Sequence, residues 1–221
     1  MIYLLHIDTS VDSGTVAVSG DGIILASVVN DETRNHAATV NVMINHVLAD
    51  AGISLNDLSA IVVCAGPGSY TGLRIGMATA KGLCYVLDKP LLLDNRLTLL
   101  AYQALQHHKG CTHYVSLLVA REKEYFIGIY DSDFNCLLQP RHIAEEQLKY
   151  FIEKKQDTRI ITDMPEAAFT DFIIKNSHID NNIKIDLNSW GLYAFGQYKC
   201  NNNVNLSDSE PFYLKQVYTH K

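Results

Sequence analysis

Scarcity defines this sequence before any motif does. Its five cysteines (Cys64, Cys84, Cys111, Cys136 and Cys200) are odd in number, scattered, and form no C-x-x-C pair. Reduced thiols account for them more simply than a disulfide framework or a metal set. Basic residues are few, the net charge is −6, and the densest cluster is Lys154-Lys155 beside Glu153. A chain that grips nucleic acid unaided carries a basic stripe, which is missing here. No apolar run is long enough to span a bilayer. Met1–Ser10 lacks both the basic start and the small-residue cleavage site of a signal peptide. These absences lead us to expect a soluble cytoplasmic protein. At 221 residues and 48% hydrophobic, it can bury a sizeable core as one large or two small domains.

What is present centres on Gly66-Pro67-Gly68-Ser69-Tyr70-Thr71-Gly72-Leu73-Arg74-Ile75-Gly76. The apolar run Ala60–Ala65 before it reads as a buried strand, and Leu73–Leu87 after it as a helix with Thr71 as N-cap. Strand, glycine turn and helix start are the general geometry that holds an anion on backbone N–H groups. Three familiar motifs nonetheless fail on spacing. A P-loop needs Lys-Ser/Thr after Gly72, where Leu73-Arg74 stands. A dinucleotide fingerprint needs glycine where Thr71 stands. A nucleophile elbow around Ser69 needs glycines where Pro67 and Thr71 stand. Gly72, Gly76 and Ala80 recur every four residues and so share one helix face. Glycine inside a helix costs about 1 kcal/mol against alanine, so Gly76 and Gly82 call for close packing, either within the same domain or at a subunit interface. Position alone does not separate the two.

This motif, with Ile7-Asp8-Thr9-Ser10 upstream, closely resembles the TsaB (YeaZ) family over roughly the first 90 residues. Beyond them the likeness thins to fragments such as Ala120-Arg121 and Pro211-Phe212-Tyr213-Leu214-Lys215. The family serves in placing a threonylcarbamoyl group on the adenosine beside the tRNA anticodon. It is similar to TsaD, the catalytic partner that carries metal and nucleotide.

Taken in order, the chain reads as two copies of one layout. Strands at Ile2–Asp8, Thr15–Ser19 and Ile23–Val29, the last two joined by a Gly20-Asp21-Gly22 turn, precede a helix from His36 to Ala51. Asn35 is placed to cap that helix and Gly52 to end it, and Val40, Ile44, Val47, Leu48 and Ala51 form its apolar stripe. The strand at 60–65, the glycine-led helix, Leu91-Leu92-Leu93 and a helix over Leu97–His107 complete the first half. In the second, His113–Val119, Glu124–Tyr130 and Cys136–Leu138 read as strands, then come a helix over Ala144–Glu153 and a strand at Ile160–Thr162. Pro165 can start another helix. Ile183–Ile185 reads as a strand and Trp190–Tyr198 as a helix. Asn201-Asn202-Asn203 breaks the pattern, and the tail packs back through Phe212, Tyr213 and Leu214. Two units of three strands, helix, strand and helix make the α/β layout of the actin/hexokinase/Hsp70-like (ASKHA) fold. The subdomains are expected at 1–108 and 109–221.

Candidate chemistry is thin. Asp8 ends the first strand, where ATP-using members of this fold place an acid toward phosphates and metal; with the partners of such a site missing, it reads rather as a turn-forming acid. The matching place in the second half is Val119-Ala120-Arg121-Glu122, without a second acid before Ala-Arg. The resemblance implies that a TsaD-like catalytic chain would carry two histidines four apart on its first helix, facing one metal ion. Here His36 is followed at that spacing by Val40, and His46 lies about 280° further round the helix. His107-His108 read as solvated at a helix end. Arg74 can bind an anion, a partner or solvent, and Arg121-Glu122-Lys123-Glu124 is a charged turn.

The expectation is therefore a non-catalytic TsaB-like subunit with no catalytic residue, cofactor or metal of its own. The resemblance implies that the helices near 36–51 and 71–87 meet a TsaD-like partner. The candidate contact residues are His36, Val40, Met43, Val47, Gly72, Gly76 and Ala80. A TsaE-like ATPase and tRNA would join through the complex, and the same face suits a homodimer. The alternative is an ATP-dependent phosphotransferase of the same fold.

Overall fold

A computed structural model describes residues 1–32, 35–152, 157–165 and 177–214. The chain divides into two compact units, Met1–Arg96 with Leu187–Phe212, and Leu97–Asp186 with Tyr213–Lys221. The crossing falls at Arg96 rather than 108, and the helix near 190 belongs with the first half. Packing explains both shifts. Trp190 Nε1 donates to buried Asp94 at 2.6 Å, while Leu97, Leu100 and Ala101 pack with Tyr114 and Leu118.

The first unit is a five-stranded sheet in the order β3-β2-β1-β4-β5. Its strands are β1 (Tyr3–Asp8), β2 (Gly14–Gly20), β3 (Ile23–Asn30), β4 (Leu58–Cys64) and β5 (Leu91–Asp94). β1, β2 and β3 form an antiparallel meander, and β4 and β5 extend it in parallel from β1. The turn at Asp21-Gly22 has positive φ at both residues, 49° and 86°, which Asp and Gly tolerate. On one face Leu5, Ile7, Val16, Val18, Ile61 and Val63 share a core with the apolar stripe of α1 (His36–Asp50) and with Met77, Ala80 and Cys84 of α2 (Tyr70–Leu87). The opposite face places His6 edge-on to Trp190 of α5 (Leu187–Lys199), with ring centroids 4.9 Å apart.

Both helix starts differ from expectation in one respect. Asn35 sits at the N-cap of α1, but its side chain donates to Glu32 Oε2 at 3.1 Å and makes no cap bond. The Asn35 carbonyl accepts the first helical bonds, from Ala38 and Thr39 N–H, and also one from the Thr39 hydroxyl. In α2 the cap is Ser69, whose hydroxyl accepts from Gly72 N–H at 3.3 Å, and Thr71 lies inside the first turn. The cap thus comes two residues, and the helix start three, sooner than expected.

The second unit repeats the first sheet's order as β10-β9-β6-β7-β8, with the same alternation of antiparallel and parallel pairs. Its strands are β6 (His113–Arg121), β7 (Glu124–Asp131), β8 (Cys136–Ala144), β9 (Thr158–Thr162) and β10 (Ser177–Asp180). α4 (Glu145–Ile152) covers one face through Leu148 and Ile152. α3 (Arg96–His107) covers the other through Leu97, Leu100, Ala101 and Ala104. β8 runs well past Leu138, which an edge strand can do through Pro140. The last strand is Ser177–Asp180, not Ile183–Ile185. Around 182–186 the backbone is taken by local bonds, Lys184 N–H to Asn182 Oδ1, and by Gln103, which holds both Lys184 O and Asp186 N–H. The helix expected from Pro165 onward, and the Lys154-Lys155 pair, lie outside the described residues.

Candidate functional site

The two motifs far apart in sequence interlock in space. Ser69 N–H donates to the Ser10 carbonyl at 2.7 Å, and Thr9 Oγ1 donates to the Gly72 carbonyl at 2.7 Å. A methyl group at Gly72 would run into the Thr9 carbonyl oxygen, and one at Gly76 would strike the Thr9 hydroxyl. The small-residue face thus lets α2 lie directly on the turn after β1. Of the helix-start donors that suggested an anion cradle, Ser69 N–H is spent on Ser10 and Gly72 N–H on the Ser69 hydroxyl. Packing within one domain, one of the two readings left open by the spacing, is what Gly72 and Gly76 serve; Gly82, expected to need the same close approach, is exposed with nothing within 4 Å of where its Cβ would stand.

Asp8 lies beneath that junction, 5% exposed. Its Oδ1 accepts from Ser10 N–H at 2.8 Å, and its Oδ2 faces Arg96 Nη1 at 3.4 Å. Arg96 is itself 4% exposed, its Nη1 also reaches Ser10 Oγ at 3.5 Å, and its N–H donates to Gly66 O at 2.7 Å. The acid that would face phosphate and metal in an ATP-using relative therefore has a resident cation and a local backbone donor. Beside it, burial pushes the Cys64 thiol well above its usual range, with the Asp8 charge adding to the rise, so this thiol is no nucleophile. Sequence reading missed Arg96. It stands 88 residues from Asp8, and no spacing rule links the two.

In the second half the corresponding turn is Glu122-Lys123, with Lys123 at φ 58°. There Asp163 Oδ1 accepts from Val119 N–H at 2.8 Å. The charged hairpin expected at 121–124 is in place, as the link between β6 and β7.

Among the described residues the histidines do not assemble a metal centre. His36 is buried, and its Nε2 donates to the Val11 carbonyl at 2.9 Å, which leaves Nδ1 buried beside Gly14 and Met43 without a hydrogen-bond partner. Val40, one turn on, is packed in the core at 2% exposure and offers no ligand, while His46 faces outward. Among the described residues no group of three or more His, Cys, Asp or Glu is placed to hold a metal ion. His107 and His108 are not simply solvated. His107 Nε2 is 3.3 Å from Asp186, and His108 Nε2 accepts from Arg159 at 2.7 Å.

The seven candidate contact residues all point inward. His36, Val40, Met43, Val47, Gly72, Gly76 and Ala80 are buried within their own unit. The outward surface of the same two helices is carried by other side chains. On α1 Val42 is 52% exposed, and on α2 Tyr85 is 83% and Val86 79% exposed, next to exposed Ala78 and Gly82. Arg74 lies over the Tyr70 ring, 4.2 Å from its centroid. The hydrophobic period found the helices; it could not show that the stripe would be consumed by the sheet beneath.

A buried polar group on the other face went unread in the sequence. His6 Nε2 pairs with Ser19 Oγ at 2.8 Å, and Asp94, 2% exposed, accepts from Trp190. Burial pulls the His6 pKa down to about 3. Burial also pushes Asp94 up to about 7, against the opposing pull of the Trp190 N–H. Among the described residues no helix is long and apolar enough to cross a membrane.

Comparison with known proteins bears on this geometry. Residues 23–149 match the TsaD family model, described as tRNA N6-adenosine threonylcarbamoyltransferase. A Haemophilus influenzae relative, the tRNA threonylcarbamoyladenosine biosynthesis protein TsaB, is 29% identical across 99% of this chain and 95% of its own length. YeaZ from Pseudomonas aeruginosa superposes with a TM-score of 0.76 at 22% identity, covering 97% of this chain and all of that one. A putative N-acetylmannosamine kinase from Listeria monocytogenes shares the fold at a TM-score of 0.56 and 12% identity, over 90% of this chain and all of that one. The duplicated sheets are those of the actin/hexokinase/Hsp70-like fold, and the chain belongs to the TsaB/YeaZ family.

Proposed function

We propose that this chain is a non-catalytic subunit of the machinery that places a threonylcarbamoyl group on the adenosine beside the tRNA anticodon. It acts by binding and supporting a TsaD-like transferase, with a TsaE-like ATPase and the tRNA joining through the assembled complex. What supports the non-catalytic part is the Arg96–Asp8 pair, in which a buried side-chain cation already faces the acid that an ATP-using chain would turn toward metal and phosphate. The net charge of −6 supports tRNA engagement through the complex rather than by this chain alone. The contact face is the outer surface of α1 and α2, around Val42, Tyr85 and Val86. A second copy of the chain can occupy the same face when no transferase is present.

Reconstitution tests the proposal. Unmodified tRNA, threonine, bicarbonate and ATP are incubated with TsaC-, TsaD- and TsaE-like proteins, with and without this chain. Threonylcarbamoyl-adenosine is expected only in its presence. Equal modification without it refutes the subunit reading. Stoichiometric binding of ATP and Mg²⁺ to the isolated chain would instead favour a phosphotransferase.

A further inference from the structure

The segment after α5 runs back over the first unit and is pinned there at three separated points. Val204 N–H donates to the Leu91 carbonyl at 3.0 Å, adding an antiparallel bridge to the edge of β5. Lys81, from the flank of α2, donates through Nζ to the Ser209 carbonyl at 3.1 Å. Phe212 N–H donates to the Ala65 carbonyl at 2.7 Å, just beyond the end of β4. Between the pins the chain folds on itself through Ser209, whose N–H goes to Asn205 O and whose hydroxyl goes to Leu206 O. Val204, Leu206 and Phe212 pack their side chains against the core that α1 and α2 share with the sheet.

The first glycine of the motif lies on this path. Gly66 has φ +116°, and a methyl group there would stand 3.3 Å from the Phe212 carbonyl oxygen. Gly66 and Phe212 therefore fit one another across 146 residues, and the turn that starts α2 is closed from outside by the tail. From these contacts we infer that residues 204–212 act as a strap that holds α2 in register on the sheet, so that docking on the outer face of α2 depends on the strap being seated. The docking half rests on the contact face proposed above. The strap touches α2 through Lys81 and the turn before it, and it buries no residue of that outer face.

Three full-length variants separate the possibilities. Phe212→Ala removes the side-chain packing of the distal anchor while keeping its backbone hydrogen bond, Lys81→Met keeps the side-chain stem but removes the donor, and Tyr85→Glu alters the outer face alone. Amide exchange in residues 73–84 is compared with that in α1 of the same molecule, so that a general loss of folding shows in both. Affinity is measured against the chain's own TsaD-type partner. The strap predicts exchange faster by about 30-fold in α2 of Phe212→Ala, a smaller rise in Lys81→Met, and little change in α1. It also predicts weaker partner binding in Phe212→Ala. Unchanged exchange in α2 overturns the strap. Faster exchange with undiminished affinity, while Tyr85→Glu still weakens binding, overturns the coupling and leaves the contact face standing. If neither Phe212→Ala nor Tyr85→Glu weakens binding, the contact face itself is wrong and the coupling falls with it.

Discussion

Asp94→Asn should convert a pH-insensitive stability into a pH-sensitive one. In the folded chain Asp94 titrates near 7 against an ordinary 3.8, so between those values the folded state holds a proton that the unfolded state has lost. Stability from this group falls as pH rises through that window, by about 1.4 kcal/mol per pH unit and about 4 kcal/mol in all. His6 does the opposite. Its folded value near 3 lies below the ordinary 6.5, so between them the unfolded state binds the extra proton. Stability from His6 therefore rises with pH, at the same slope and by about 5 kcal/mol. The windows overlap from about pH 4 to 6.5, where the two slopes cancel. Asp94→Asn keeps an oxygen for Trp190 Nε1 but removes the falling arm. The variant should gain about 3 kcal/mol of stability between pH 4 and 6.5 while the parent chain stays nearly flat. The chain has one tryptophan, Trp190, and it is buried in this cluster, so its fluorescence reports the transition in urea titrations at stepped pH. A variant profile parallel to that of the parent would refute the reasoning, because it would mean that the carboxyl of Asp94 is not the group opposing His6.

Two further substitutions test the junction of the motifs. Arg96→Met leaves Asp8 buried without its cation and should cost about 3–5 kcal/mol, most of it recovered in the double variant with Asp8→Asn; equal destabilisation of single and double variants in denaturant melts would show that the pair is not the source. Ser69→Ala should lower stability by about 1 kcal/mol through loss of the cap on Gly72 N–H, whereas Thr71→Ala should lie within about 0.5 kcal/mol of the parent. The reverse ranking in thermal melts would return the cap to Thr71.

Most of the architecture was legible because its signals are local. Alternating and continuous apolar runs located β1, β4, β6 and β7, and the 3.6-residue stripe located α1. The repeated order of elements sufficed to name the fold. What failed was non-local. Ile183–Ile185 looks like a strand until Gln103, 81 residues away, takes the backbone carbonyl of Lys184. The seven contact candidates lie on a small and apolar face that any interface helix would also need. Only the closeness of Thr9 to Gly72 and Gly76 decides that the face is spent inside the domain. Val42, Tyr85 and Val86 drew no attention because an apolar residue off the stripe is, in sequence alone, indistinguishable from ordinary surface.

The Arg96–Asp8 pair bears on what the site has become. Two buried opposite charges rarely add net stability over well-packed apolar residues of similar size, because the cost of desolvation offsets the attraction. Stability alone therefore does not explain an acid kept under the glycine turn. Geometry does. Asp8 fixes the turn after β1 through Ser10 N–H, Arg96 ties that turn to the start of α3, and its own N–H binds Gly66 at the mouth of the motif. Ser10 and Thr9, positioned by this arrangement, then supply the contacts on which Ser69 and Gly72 rest. Asp8 and Arg96 thus join the turn after β1 to the turn that opens α2, the helix whose outer face carries Tyr85 and Val86. Loss of Arg96 should accordingly weaken partner binding through α2 even though Arg96 lies far beneath that outer face. The double variant restores charge balance but not the Arg96–Ser10 contact, so it should recover melting temperature more fully than affinity.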